Sequence, residues 1–376
     1  MRRNVLAVLV MVSCVGLPVA ARADTGDPTI SQEADPNESR VKKYPFRGSE
    51  LVWFQSLGAM GLVKSSDLTW KPYYDWLWRI YPRYHITDKL SIRAKLGVEI
   101  EWTNSPDTTT QREPNFEDIW LDVVYSPAWT IPVAKIDITP SLRLVVPTSK
   151  LARAESLYLG IGPGVTFKRS FNLPKHMTLD LTYSFRYIKN LNQYTTVQYQ
   201  GQPLAGCSST PDAGDCGAGL QSGASAVSHQ FLNMLVADWG ITKKLNFELF
   251  VGFFNYLSYG VPNATVPISG GETVSLGQDP VNNTQQRATI WYLVSADYQI
   301  HPTVKLGLAV SSWNPQLAPD STYYAPFINR YTQFVLSTTI ALDHVVANIE
   351  RAVRARRGGG GVATAAMPSV TAAASR

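Results

Sequence analysis

Lys89-Leu90-Ser91-Ile92-Arg93-Ala94-Lys95-Leu96-Gly97-Val98-Glu99-Ile100-Glu101-Trp102 alternates without a break. Successive side chains of a β-strand point to opposite faces, so Leu90, Ile92, Ala94, Leu96, Val98, Ile100 and Trp102 share one apolar face. Ser91, Arg93, Lys95, Gly97, Glu99 and Glu101 share the other, which is charged. Strands of soluble sheets are usually about 5 to 6 residues long. A long strand with a clean apolar face, repeated along a chain that begins with an export signal, meets lipid rather than a protein core. The pattern predicts an all-β fold, a closed antiparallel transmembrane β-barrel.

Working outward, alternating runs fall at residues 51–62, 70–86, 89–103, 116–126, 133–147, 157–170, 177–188, 229–241, 245–254, 287–300, 304–312 and 330–342. The connections between them are alternately short, as at Thr87-Asp88-Lys89 and His301-Pro302-Thr303, and long and polar, as at residues 189–228 and 255–286. Tight periplasmic turns and long surface loops alternate in this way in bacterial barrels. Twelve strands put both termini on the periplasmic side, where an exported chain starts; ten and fourteen are the other even counts the strand signals allow. The predicted plan is a signal peptide at 1–23, a flexible periplasmic leader at 24–47, the barrel at 48–342, a short amphipathic periplasmic helix at 343–357 and a disordered tail at 358–376. The helix follows from Val345, Val346, Ile349 and Val353 at helical spacing.

The signal reading rests on Arg2 and Arg3, an apolar run from Val5 to Val12, and Ala21-Arg22-Ala23 as a small-x-small cleavage site. The net charge of +5 does not describe a nucleic-acid surface. Three arginines leave with the signal, and five more follow Leu342 against Asp343 and Glu350, which leaves the barrel near neutrality. The basic end is expected in periplasmic contact or simply solvated. Cys207 and Cys216, two cysteines in a Gly/Ser-rich stretch of an exported chain, are expected to form a disulfide, since no histidine stands near enough to make a metal set.

Parity then yields an interior. Its cations are Lys71, Arg79, Arg83, Arg93, Lys95, Lys135, Arg143, Lys168, Arg186, Arg287 and Lys305, and its anions Asp75, Glu99, Glu101, Asp118, Asp122, Asp137, Asp180, Asp238, Glu248 and Asp297. So many charges inside a wall must be hydrated or paired. Both conditions suit a pore, whose lining is expected to include Asp75, Arg79, Arg93, Lys95, Glu99, Glu101, Asp122, Arg143, Asp180, Arg186, Arg287 and Asp297. Near-balance of sign argues for weak charge selectivity. Tyr73, Tyr81, Trp120, Tyr158, Trp291 and Leu293 also fall on the inner face, as contact points for a ring-bearing or amphipathic solute or as packing. Gly160, Gly162 and Gly164 leave a strip bare of side chains, which is either room for a solute or a point of tight curvature.

Four segments resemble an outer-membrane barrel family of transport proteins associated with meta-pathway phenol degradation. They are Asp122-Val123-Val124-Tyr125, Leu142-Arg143-Leu144-Val145-Val146-Pro147-Thr148-Ser149, Gly160-Ile161-Gly162-Pro163-Gly164 and Leu179-Asp180-Leu181-Thr182-Tyr183, within residues 118–188. The family commonly has Pro-Thr-Gly where this chain has Pro147-Thr148-Ser149, and its last strand usually ends the chain. The resemblance implies passage of small molecules, aromatic ones among them, and brings no catalytic residues.

Three function classes remain at this stage. A passive channel for small solutes needs only the interior just described. A structural or adhesive surface barrel would use the long loops. A lipolytic enzyme would need a serine, a histidine and an orienting group together at the outer rim. Only His229, beside Ser228, stands there, and neighbouring strand residues face opposite ways. No dinucleotide, phosphate-loop or metal-ligand spacing is present, so no cofactor is expected; the partners expected are outer-membrane lipid and small solutes.

Overall fold

The computed structural model describes residues 44–59, 73–103, 112–198, 221–260, 264–267, 273–276, 286–317 and 322–358. The signal, most of the leader, Lys71, Cys207, Cys216 and the tail beyond Gly358 lie outside these residues.

Twelve wall strands follow one another in the chain: β1 (Glu50–Gly58), β2 (Tyr74–Tyr81), β3 (Leu90–Glu101), β4 (Ile119–Tyr125), β5 (Ile136–Val146) and β6 (Leu157–Asn172). They continue as β7 (Thr178–Asn192), β8 (Val227–Gly240), β9 (Leu245–Ser258), β10 (Gln286–His301), β11 (Val304–Pro315) and β12 (Thr332–Ala341). Each pairs antiparallel with its sequence neighbours, and β1 pairs with β12, so the sheet closes on itself. Closure leaves no sheet edge with unpaired backbone groups, the condition for strands to cross a bilayer.

The outward and inward faces differ as alternation requires. On β3, Ile92 and Leu96 are exposed while Ser91, Lys95 and Glu101 are buried. On the far side of the barrel, Leu249, Val294 and Leu308 point outward, Leu308 with 66 % of its surface open. An apolar belt of this kind, open on an isolated chain, is the lipid-facing surface of an outer-membrane barrel. Trp53, Trp76, Trp78 and Trp102 form a ladder of stacked and edge-on rings across β1, β2 and the end of β3.

Parity fails at Tyr158, a predicted interior residue. Leu157 is buried and Tyr158 is 61 % exposed, because the β6–β7 register slips where Asn192 pairs with Leu157 and Leu191 with Leu159. A one-residue bulge turns the side chain to the other face. Lys135 lies in the turn before β5 at a φ of 50° and is exposed, so it belongs to the rim.

The segments just before β1 and just after β12 meet at the seam. Leu342 N–H donates to the Ser49 carbonyl at 2.9 Å, Gly48 N–H to Asp343 Oδ2 at 2.7 Å, and the Tyr44 hydroxyl to Glu350 Oε2 at 2.7 Å. Helix α2 (Leu342–Gly358) leaves β12 directly, burying Asp343 and Ala347 against the end of the barrel and leaving Ile349 and Val353 exposed. A one-turn helix α1 (Lys150–Ala154) lies in the β5–β6 loop, its first turn capped by the Ser149 hydroxyl, which accepts from Ala152 N–H at 3.0 Å.

Candidate functional site

The interior divides into two unlike halves. From β2 to β7 it is built of charges. Arg79 donates through Nε and Nη2 to the two oxygens of Glu117 at 2.8 and 2.5 Å, and Lys95 Nζ stands 3.6 Å from the same carboxylate. The Glu117 carboxylate lies against Gly97, where a Cβ would collide with it. Glu117 was not among the sequence-derived interior residues; it stands just before β4, where alternation gives no signal. The Tyr73 hydroxyl donates to Glu99 at 2.7 Å and the Thr103 hydroxyl to Glu101 at 2.8 Å. Asp75 is fully buried beside Glu101 in the β2–β3 register.

Asp122 is the centre of a second group. Arg143 grips it with Nε and Nη2 at 2.9 and 2.7 Å, and Arg186 Nη1 reaches it at 3.1 Å. Arg93 is its register partner on β3. Arg186 belongs to β7, two strands from Arg143, and it reaches Asp122 and Ser141 by passing over Gly164. The strip at Gly160, Gly162 and Gly164 is thus filled by neighbours: Val145, Ile188 and Arg186 each lie where a Cβ would go. The indole of Trp120 carries two cations, Lys95 Nζ at 3.6 Å and Arg143 Cζ at 3.9 Å from the ring centre.

From β8 to β11 the inner wall is aromatic and aliphatic. Leu232, Phe250 and Phe254 are fully buried, with Ile188, Val236 and Tyr256 in the same cluster. Phe250 meets Trp291 edge-on at 4.7 Å, Phe254 stacks on Trp313 at 5.1 Å, and Trp291 donates to the Ser311 hydroxyl at 2.8 Å. Charges return at the ends joined by short turns, where Lys305 stands 3.6 Å from Asp297, near the Lys168–Asp180 pair of β6 and β7 at 2.5 Å. Asp238 and Glu248 are buried in the same register row as Asp180.

At the mouth that carries the longer loops Asp118 accepts from Ser149 N–H at 2.9 Å and the Thr148 hydroxyl donates to the Glu117 carbonyl at 2.6 Å. Glu155 follows α1, and burial together with the Asp118 charge pushes its carboxyl up to about 7, opposed by Arg287. Arg287 is exposed at this rim, above the wall it was expected to line.

The Ser228 and His229 pair does not make a nucleophile. Ser228 is 4 % exposed, and its hydroxyl accepts from Lys189 Nζ at 2.6 Å. His229 is engaged through Nδ1 with the Tyr187 hydroxyl at 2.8 Å. An ammonium donor beside a hydroxyl takes no proton from it, so the base that a triad needs is not in place. Among the described residues there is no cluster of three or more metal-ligating side chains.

No family model matches the chain, and no curated protein does. Among solved structures it is similar to an outer membrane channel from Pseudomonas putida F1, with a TM-score of 0.44 and 11% identity over 82% of this chain and 99% of that one. It is also similar to NanC porin, with a TM-score of 0.37 and 8% identity over 78% and 98%, and to KdgM porin, with 0.35 and 8% over 77% and 98%. Likeness at this level names no solute for this chain.

Proposed function

We propose that this protein is a passive channel of the bacterial outer membrane for small solutes, aromatic and amphipathic ones included, with low net charge selectivity and no hydrolytic chemistry. The observation that carries the reading is the charged half of the interior. A barrel that served only as a stable surface scaffold gains nothing from burying Asp75, Lys95, Glu101 and Arg143 and half-burying Arg79 and Asp122, since buried ion pairs are weak contributors to stability. Charged walls of opposite sign around a lumen are what hydrated solutes need along their route. The lining in this reading includes Arg93, Glu99, Asp180, Arg186 and Asp297, with Arg287 at the entrance.

In this reading the apolar belt on the outside meets outer-membrane lipid, and α2, which follows β12, stands on the periplasmic side with the ends of the wall strands joined by short turns. The test is reconstitution. Purified, folded protein should give discrete conductance steps in planar bilayers and swelling of liposomes in small solutes. Folded protein that gives neither would overturn the channel and leave the surface-structural reading.

A further inference from the structure

We propose that Arg93, Arg143 and Arg186 form a binding site for a small carboxylate anion inside the barrel. The channel reading supplies only the ligand's route; the site itself rests on three observations about these side chains.

The first is a local imbalance. Arg93, Asp122 and Arg143 occupy consecutive positions of one register row across β3, β4 and β5, and Arg186 closes on the same carboxylate from β7. Three guanidiniums thus face one acid. Arg83 stands directly opposite Arg93 in the register and adds a further cation, its own neighbouring acids being Glu50 and Asp343 towards the seam. Interior charges that nearly cancel along the whole chain do not cancel here, and like charges side by side on a sheet repel unless an anion lies between them.

The second is unspent hydrogen-bonding capacity. Arg143 spends Nε and Nη2 on Asp122, and its Nη1 is buried without a hydrogen-bond partner. Arg93 Nε is likewise buried and unpartnered. Arg143 is itself 7 % exposed, so bulk water does not serve it. A buried donor left without an acceptor is costly, and one on a cation more so.

The third is geometric. A guanidinium offers parallel N–H groups that match the two oxygens of a carboxylate. Asp122 already shows the fit, with Arg143 across both its oxygens and Arg186 on one. A second carboxylate, taken from solution, would use the remaining donors of Arg143 and Arg93 in the same manner and bring the cluster towards neutrality.

Acetate and its neutral isostere acetamide provide the probes. Thermal unfolding of the detergent-folded protein at fixed ionic strength should show a saturable rise in midpoint with acetate and none with acetamide. In Arg93→Gln the acetate concentration for half-saturation should rise about tenfold, the loss of one charge-assisted hydrogen bond. If Arg93→Gln does not fold, Arg93→Lys, which keeps the charge and removes the Nε donor, should show the same weakening. Equal responses to acetate and acetamide, an unchanged titration in the Arg93 variant, or chloride matching acetate in the wild type would each overturn the carboxylate site. The measurement needs no flux, so acetate binding by protein that conducts nothing would overturn the channel and leave the site standing.

Discussion

Around Asp122 the inner wall of β3 to β7 is held by charges, each of which needs a particular partner. Around Phe254 the inner wall of β8 to β11 is held by rings that need only one another and the absence of water. Both walls come from the same inward parity of long strands. The difference teaches that alternation decides which residues point inward, while their chemistry decides whether that interior is a fixed core or a surface that a solute can meet. Stability should therefore concentrate in the aromatic half and selectivity in the charged half.

Truncation in the aromatic half should do the most damage. Phe254→Ala removes a fully buried ring stacked on Trp313 and should cost about 4 kcal/mol, read as the shift in urea midpoint of protein refolded into bilayers. A loss no larger than that of an exposed aromatic would show that the rings fill space without holding the wall. In the charged half, Arg79→Met leaves Glu117 with Lys95 and should cost about 3 kcal/mol. Arg79→Lys should recover part of this, and identical losses for both would mean that fork geometry contributes nothing there. Outside, the two halves should become equivalent. Leu96→Arg on β3 and Leu249→Arg on β9 should each cost about 2.5 kcal/mol, so a clear difference between them would carry the contrast through to the lipid face.

The smallest effect is a slope. Glu155, at the end of α1, and Arg287, at the start of β10, connect the halves at the mouth that carries the longer loops. With its folded pKa raised from 4.5 to about 7, the Glu155 carboxyl is held more tightly as the neutral acid in the folded chain. Its contribution to stability is fully present below pH 4.5 and is lost as pH rises through about 7. Wild type should lose stability over that window relative to Glu155→Gln. Parallel stability curves for the two would place the carboxyl in ordinary solvent.

Most of the wall was legible in the sequence because a half-lipid, half-interior strand leaves a period-two record. The expected run at residues 89–103 is β3 at Leu90–Glu101, and that at 245–254 is β9, which extends to Ser258 at its loop end. The misses have separate physical causes. Tyr158 sits at a bulge, and a register slip leaves no mark in the pattern of one strand read alone. Glu117 lies just outside its strand and acts through Gly97, a contact set by the neighbouring strand. Phe250 and Phe254 lie on a strand whose outer face also carries Phe247 and Phe253, so the contrast that identifies a face is weak there. The number of interior charges could be counted from the sequence, but their segregation could not, because it depends on which strands lie side by side.

The clasp at the seam has a consequence for assembly. Residues in contact there are separated by nearly the whole length of the barrel, as Tyr44 and Glu350 are by 306 positions. Each hairpin between neighbouring strands closes a loop far shorter than the barrel's own chain length, whereas β1 meets β12 only after the intervening chain has been confined. The seam therefore carries the largest loop-closure cost of the joints in the wall. Gly48, Ser49, Asp343 and Glu350 hold it at one end, so an assembly factor that opens or completes the barrel at this joint would meet the residues just before β1 and α2 together, as one latch.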